Sequence, residues 1–494
     1  MDGTTAVAVT EAGVSEVAGL GATFPADAAG LAWRAEQHRH GTNLAGAPLS
    51  SQAAEGPRGA LAAAMGLALS GVRAACFLSG PDLAAARDLL QAAAGRRLPL
   101  VIHVVARALP GQGPAMGGGH EAVHLAAETG CFALVAANVQ EAVDFALIAR
   151  RVAEQALTPG LVIMDGEQTA MAPQDVRLPP PELVKRFSGG PGDEIPAPTT
   201  AQRLLFGETR RRLPRWHDLD RPVLLGALQP MEVWGLGRAA GAVFFDAHVG
   251  PALEQAFADF AAQTGRTHRA VSAHRLDDAK LVLVALGAAV ETAEAVADHL
   301  RAYQRMKVGV LGLRCLRPFP GAEIARLLGT GARICVLERL DTPLAADPPL
   351  LRELRAALDR ALESGRYGED IHPGYPALRE QHRPRLQSVI YGLGGLPLRA
   401  ADLAALCRDA QSIERARVYL GLTFAIASSP YPKRQVLLDR LRRDYPDIAG
   451  LGLRSDEPRP DLRPEGAVTL ALHRLSGGPD EGLAAESAAL LHRL

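Results

Sequence analysis

Short apolar runs alternate with alanine- and leucine-rich segments along the first 170 residues. The runs RAACFLS (73–79), LPLVIHVVA (98–106), CFALVAA (131–137) and GLVIMD (160–165) read as buried strands. The segments between them, 57–70, 82–94, 121–128 and 139–156, read as helices. That alternation predicts a mostly parallel sheet covered on both faces. Ligands of such sheets lie beyond the carboxyl ends of the strands. Three segments fall there: SGPD (79–82), ARALPGQGPAMGGGH (106–120) and DGEQT (165–169).

The pattern changes over 171–250, where PPPELVKRFSGGPGDEIPAP (179–198) carries a proline and glycine density that predicts an irregular arm. A second βαβαβ unit follows: KLVLVALG (280–287), a helix at 289–304, KVGVLGL (307–313), a helix at 321–329, and ARICVLE (332–338). Helices dominate from 348 to 445. The stretch RSDEPRPDLRPE reads as a charged linker, and the last segment offers one strand, one glycine turn and one helix. The expected boundaries are 1–178 for the first α/β core, 179–255 for the arm and 256–345 for the second α/β unit. A helical connecting region spans 346–453, and a linker with a partial β-α tail spans 454–494.

Bulk composition narrows the function classes. A hydrophobic fraction of 48% with 22% charge fits a globular protein, and 494 residues exceed one core. A net charge of −1 provides no field for nucleic acid or anionic membrane. No apolar run reaches 18 residues and no basic leader opens the chain, so a cytoplasmic location without a membrane span is expected. The five cysteines contain no CxxC pair, which predicts buried thiols and no iron–sulfur or metal site in this chain.

Arg107 is the leading candidate for binding. It follows the strongest buried-strand pattern and opens a loop rich in glycine and proline. A guanidinium there is placed to hold a carboxylate through two parallel hydrogen bonds, the alternative being a pair with a nearby acid. His120, after three glycines, reads either as a polar ligand contact or as the cap of the next helix. GLGRAAG (235–241) has the wrong spacing for a dinucleotide fingerprint. ALGAAVE (286–292) offers either an anion site at a helix N-terminus or a simple βα turn. In SGGPDEG the acids Asp480 and Glu481 oppose a phosphate.

MDGTTAVAVTEAGVSEVAGL, HVVARALPGQG and TGCFALVAANVQEA resemble the pyrimidine-binding domain of pyruvate:ferredoxin (flavodoxin) oxidoreductases. VALGAAVETAEAVADHLR, KVGVLGLRCLRPFPGAEI and VLERLDTPLAADPPL resemble that family's transketolase-C-terminal-like domain, and VIYGLGGLPLRAADLAAL the segment after it. The resemblance implies an α/β fold with a thiamine-diphosphate-enzyme pyrimidine domain and a smaller transketolase-C-like domain. A helical or irregular C-terminal region follows these, ending in the start of a gamma-like domain. It also implies 2-oxoacid oxidation with coenzyme A, thiamine diphosphate and Mg²⁺, electrons leaving through iron–sulfur clusters to ferredoxin or flavodoxin. No GDG…N magnesium motif occurs here. The diphosphate-binding and cluster domains would therefore come from companion subunits in a hetero-oligomer.

By the same resemblance Arg107 matches the substrate-binding arginine, while other matched positions depart. The family's proton-relay glutamate stands nine residues before a helix glycine, and counting back from Gly66 gives Pro57. Glu55, two residues earlier, either swings inward as a displaced acid or is an ordinary charge near a positive helix end. The substrate-contacting threonine becomes Phe24, with Thr23 beside it, and the aspartate of a GDH-like run becomes Gly119 while His120 is retained. The expected function is thus a subunit of a 2-oxoacid:ferredoxin or flavodoxin oxidoreductase complex with a degenerate pyrimidine side. The alternatives are a non-catalytic scaffold of such a complex or a carboxylate-binding regulator.

Overall fold

In the computed structural model the described residues are 1–216, 228–329, 332–368, 371–412, 415–422 and 428–463. Met1–Pro460 form one compact unit, and a second begins at Asp461. The expected tail strand, glycine turn and helix lie outside the described residues.

The first layer opens with α1 (Gly3–Val14), β1 (Val17–Leu20), α2 (Asp27–His40) and β2 (Ser50–Ala53). It continues with α3 (Pro57–Leu69), β3 (Ala74–Ser79), α4 (Gly80–Ala85), α5 (Arg87–Gly95) and β4 (Val101–Ala106). Then come α6 (Glu121–Ala127), β5 (Phe132–Ala136), α7 (Val139–Ala156) and β6 (Gly160–Asp165). Each of the four runs read as a buried strand is one. The helices form for ordinary reasons: α3 buries Ala60, Leu61, Ala64, Met65 and Ala68 along one stripe. At the start of α7 the Asn138 side chain accepts the Glu141 N–H.

The described residues of the stretch expected to be irregular carry regular elements. They include α8 (Pro181–Ser188), β7 (Glu194–Pro196), α9 (Thr200–Phe206), β8 (Thr209–Arg211), α10 (Met231–Phe244) and α11 (Val249–Thr264). Proline and glycine punctuate these elements rather than break them. Pro181 stands at the first position of α8, where its missing N–H costs nothing, and Gly189 and Gly207 follow the ends of α8 and α9. Phe187 of α8 packs edge-on against Phe260 of α11, centroids 5.2 Å apart, so the supposed arm is partly built into the first core.

The second layer has β9 (Val271–His274), β10 (Leu281–Leu286), α12 (Ala289–Gln304), β11 (Val308–Leu313), β12 (Cys315–Arg317), α13 (Gly321–Leu328) and β13 (Arg333–Glu338). It extends beyond the expected limit at 345. After α14 (Pro349–Tyr367), the strands β14 (Arg385–Tyr391), β15 (Arg417–Leu420) and β16 (Gly452–Leu453) join the same sheet. The helices α15 (Ala400–Ser412), α16 (Pro432–Asp444) and α17 (Pro446–Leu451) lie between them in sequence. The connecting region is therefore part of the second sheet, with strands the helix-rich composition concealed.

The sheet orders are β12-β5-β6-β4-β3-β1-β2 and β16-β15-β14-β13-β10-β11-β9. Within these two sheets all pairings are parallel except those of the edge strands β12 and β9, and β7 and β8 form a separate antiparallel pair. Only Arg314 separates β11 of the second sheet from β12 of the first, so the chain steps straight from one sheet to the other. Arg314 Nε donates to both Glu141 carboxylate oxygens at 2.8 and 2.9 Å, and its carbonyl accepts the Val135 N–H at 2.8 Å. No helix among the described residues is long and apolar enough to cross a membrane. All five cysteines are buried, and burial pushes the thiols of Cys76, Cys131, Cys315 and Cys335 up to about 12.

Inside the first layer Glu11 is enclosed by His103 Nε2 at 2.9 Å, Ser15 Oγ at 2.6 Å and Arg150 Nη2 at 3.1 Å. Burial alone would raise its pKa, but the Arg150 charge, then His103 and Ser15, outweigh burial and lower it to about 2. A pKa depressed on folding stabilises above the unfolded value of 4.5 and stops doing so as pH falls toward 2. Glu11→Gln should cost roughly 3 kcal/mol at pH 7, and the difference from the parent should shrink between pH 4.5 and 2.5. Urea midpoints at both pH values measure this; an equal penalty at both would contradict the assignment.

Candidate functional site

The chain runs from β1 to β2 on one side, then returns so that β3 pairs on the other side of β1. At such a reversal the loops diverge and leave a crevice at the carboxyl ends of the strands. The loop after β1 (21–26), the segment 54–56 after β2, Ser79-Gly80 after β3 and Arg107 after β4 all stand on this edge.

Arg107 is half-buried here and bridges two loops. Its Nε donates to Ala115 O at 2.8 Å, Nη1 to Phe24 O at 2.9 Å, and Nη2 lies 3.4 Å from Met116 Sδ. No acid pairs with it among the described residues. One N–H on each terminal nitrogen remains beyond these contacts, which is the number a carboxylate takes from an arginine fork. Phe24 therefore does meet Arg107, but through its carbonyl; its side chain is exposed. Thr23 is half-buried, and its carbonyl accepts the Ala26 N–H at 3.0 Å.

Pro57 is the first residue of α3, and Gly56 before it caps the helix in extended conformation. The helix begins after Glu55, which sits exposed in a bend and forms no hydrogen bond or ion pair among the described residues. Another acid near this edge, Asp82, is buried and committed to a capping box, accepting the Ser79 N–H at 3.0 Å and Ser79 Oγ–H at 2.9 Å. Neither acid is held where a matched glutamate would stand, and Pro57 has no proton to exchange.

His120 is the N-cap residue of α6, though its side chain makes no capping hydrogen bond. It is buried, and its Nε2 lies 2.7 Å from Asp165 Oδ1. Gly119 has no room for the family's aspartate, since a Cβ there would lie 2.7 Å from Ala108 Cα. Asp165 also accepts the Ala288 N–H at 2.7 Å and faces Arg339 Nη1 at 3.4 Å. Burial would raise the Asp165 pKa, but the His120 charge and hydrogen bond, then Arg339, then the Ala288 N–H hold it well below the carboxylate range. The ALGAAVE turn thus meets an anion supplied by the chain itself.

Arg339 extends this cluster toward Arg107. Its Nη2 donates to Glu167 Oε2 at 2.8 Å, and the other Glu167 oxygen accepts the Gly118 N–H in the loop that Arg107 opens. Gly117 in that loop lies against the 392–395 turn of the second sheet, where its Cβ would fall 2.2 Å from Gly395 Cα. Arg339, Glu167 and this glycine contact were not anticipated. The motif VLERLDTP contains Arg339, but nothing local marks it as the partner of a residue 172 positions away.

The family model "pyruvate flavodoxin/ferredoxin oxidoreductase, thiamine diphosphate-binding" matches residues 45–216. That of "pyruvate:ferredoxin oxidoreductase core domain II" matches 279–372. The pyruvate-flavodoxin oxidoreductase of Nostoc sp. (strain ATCC 29151 / PCC 7119) is 31% identical over 291 residues, covering 57% of this chain and 67% of that protein. Pyruvate synthase subunit PorA of Thermotoga maritima is 29% identical over 374 residues, covering 74% of this chain and 84% of the subunit. Longer relatives extend beyond the match: the aligned part is 30% of a Synechocystis sp. homologue. Among solved structures, the 2-oxoglutarate:ferredoxin oxidoreductase of Magnetococcus marinus superposes with a TM-score of 0.58 at 16% identity, over 83% of this chain and 64% of that one, which speaks for the fold alone. On sequence similarity and on the order of its two α/β layers, the chain belongs to the pyruvate:ferredoxin/flavodoxin oxidoreductase family.

Proposed function

We propose that this chain is a subunit of a 2-oxoacid:ferredoxin or flavodoxin oxidoreductase complex, contributing the pyrimidine-facing layer with its proton relay lost. The observation that carries the reading is Pro57 at the first turn of α3, with Glu55 exposed before it and Arg107 retained across the crevice. Companion chains carry the diphosphate-binding and iron–sulfur parts, and thiamine diphosphate and Mg²⁺ enter only with them. The cofactor would supply the carbanion chemistry at the 2-oxoacid carbonyl. This chain's part is to bind and orient: Arg107 holds the substrate carboxylate, while Glu167 and Arg339 keep its loop in place.

Two measurements on the complex purified with this chain test the reading. Arg107→Ala should weaken calorimetric binding of a 2-oxoacid by about tenfold or more, the loss of a charge-assisted pair. Unchanged affinity would remove Arg107 from the site, and binding by the chain without companions would favour a regulator instead. Glu55→Ala should leave 2-oxoacid-dependent dye reduction unaltered. Its abolition would make Glu55 a working, displaced acid and overturn the loss of the relay.

A further inference from the structure

We infer that the cleft between α6 of the first layer and α14 of the second binds a small organic carboxylate. The cleft is lined by other residues than the crevice at Arg107, and the inference stands apart from the function proposed above. It encloses about 640 Å³, within the roughly 300–1,000 Å³ of small-molecule sites. Its apolar wall is Leu125 of α6 with Leu340, Pro343, Pro349 and Ala356 of the second layer.

The charges around this cleft do not cancel. Of its four acids, Glu128 and Glu353 both accept from Arg317 Nη2 at 2.6 Å, which occupies that guanidinium as well. Asp341 accepts the Tyr419 hydroxyl at 2.7 Å. Glu121 turns its carboxylate toward Gly119 and the Leu109 N–H, and burial raises its pKa. Two arginines are left over. Arg87 donates only its Nε–H, to Leu125 O at 3.1 Å. The Arg352 side chain has no hydrogen bond or ion pair among the described residues.

Two uncharged groups of the lining also lack a partner. Thr342 Oγ1 and His124 Nε2 are buried without a hydrogen bond among the described residues. Burial, then the charges of His120, Arg317 and Arg352, push the His124 pKa down to about 3, so the ring is neutral at pH 7. A neutral imidazole still donates from one nitrogen, and a hydroxyl donates from its oxygen. The unsatisfied groups of the cleft can therefore all act as donors, and a buried donor without an acceptor is costly. An anion answers them together, and the apolar wall beside them favours one that carries carbon. A carboxylate takes two parallel N–H groups from an arginine fork.

Calorimetric titration of the full chain carrying Arg107→Ala tests this, because the crevice then lacks its own carboxylate site. Glutarate is the probe, with its uncharged diamide and inorganic phosphate as controls. Glutarate should bind with a dissociation constant below about 1 mM, and the diamide should not bind measurably. Arg87→Gln with Arg352→Gln should weaken glutarate by about 100-fold, and Thr342→Val by about fivefold. Both arginines are exposed, so the melting temperature without ligand should stay where it is. No binding of glutarate at about 10 mM would overturn the inference. So would equal binding of the diamide, an affinity indifferent to the arginine variants, or phosphate binding more tightly than glutarate.

Discussion

One buried carboxylate fixes how the two sheets meet. Asp165 ends a central strand of the first sheet and takes hydrogen bonds from His120 in the same layer and from the Ala288 N–H just before α12 in the second. Arg339, at the end of β13, completes the set. An ion withdrawn from water is tolerated only when its lone pairs are satisfied, so each of these partners has to be in place for the layers to close. The step from β11 to β12 through Arg314 ties the layers a second time, with the guanidinium on Glu141. The relative position of the sheets is thereby set by main chain at one point and by charge at another.

That fixation reaches the crevice. Glu167, one residue beyond the turn from Asp165, holds the Gly118 amide and the Arg339 guanidinium together. Arg107 opens the loop that contains Gly118, and Gly117 beside it rests on the second sheet. The edge that carries Arg107 is therefore braced from both layers. The opposite edge, after β2, has no such support: Glu55 is exposed and Pro57 merely starts a helix. The two edges thus differ in how firmly the fold holds them.

The parts of this arrangement legible in the sequence are those with a strong period. Buried parallel strands such as VIHVVA and LVLVAL, flanked by alanine-rich helices, announced the strands of both βαβ units to within about three residues. β1 and β2 did not, because each has four residues and SSQA has no apolar alternation; main-chain pairing to β1 makes it a strand. The edge strands β9 and β12 owe their existence to neighbours far along the chain. Prolines and glycines at 179–207 concealed α8 and α9, because the same residues that break helices also begin and end them. In the site, the place of Arg107 just after a buried strand and of Pro57 at the start of a helix was legible. His120 was legible as the cap residue of the helix that follows it, but not as the partner of Asp165, 45 residues away. Only the folded chain brings such residues together.

The central claim is that the pyrimidine side of this chain no longer drives ionisation of the thiazolium carbon. The most direct measurement is hydrogen–deuterium exchange at C2 of thiamine diphosphate, followed by NMR on a complex in which this chain is the sole pyrimidine-facing subunit. The account predicts exchange no faster than for the free cofactor, and a rise in rate when Pro57 is replaced by glutamate. Strong acceleration by the unaltered chain would contradict it, because some acid would then be doing the work assigned here to a missing one.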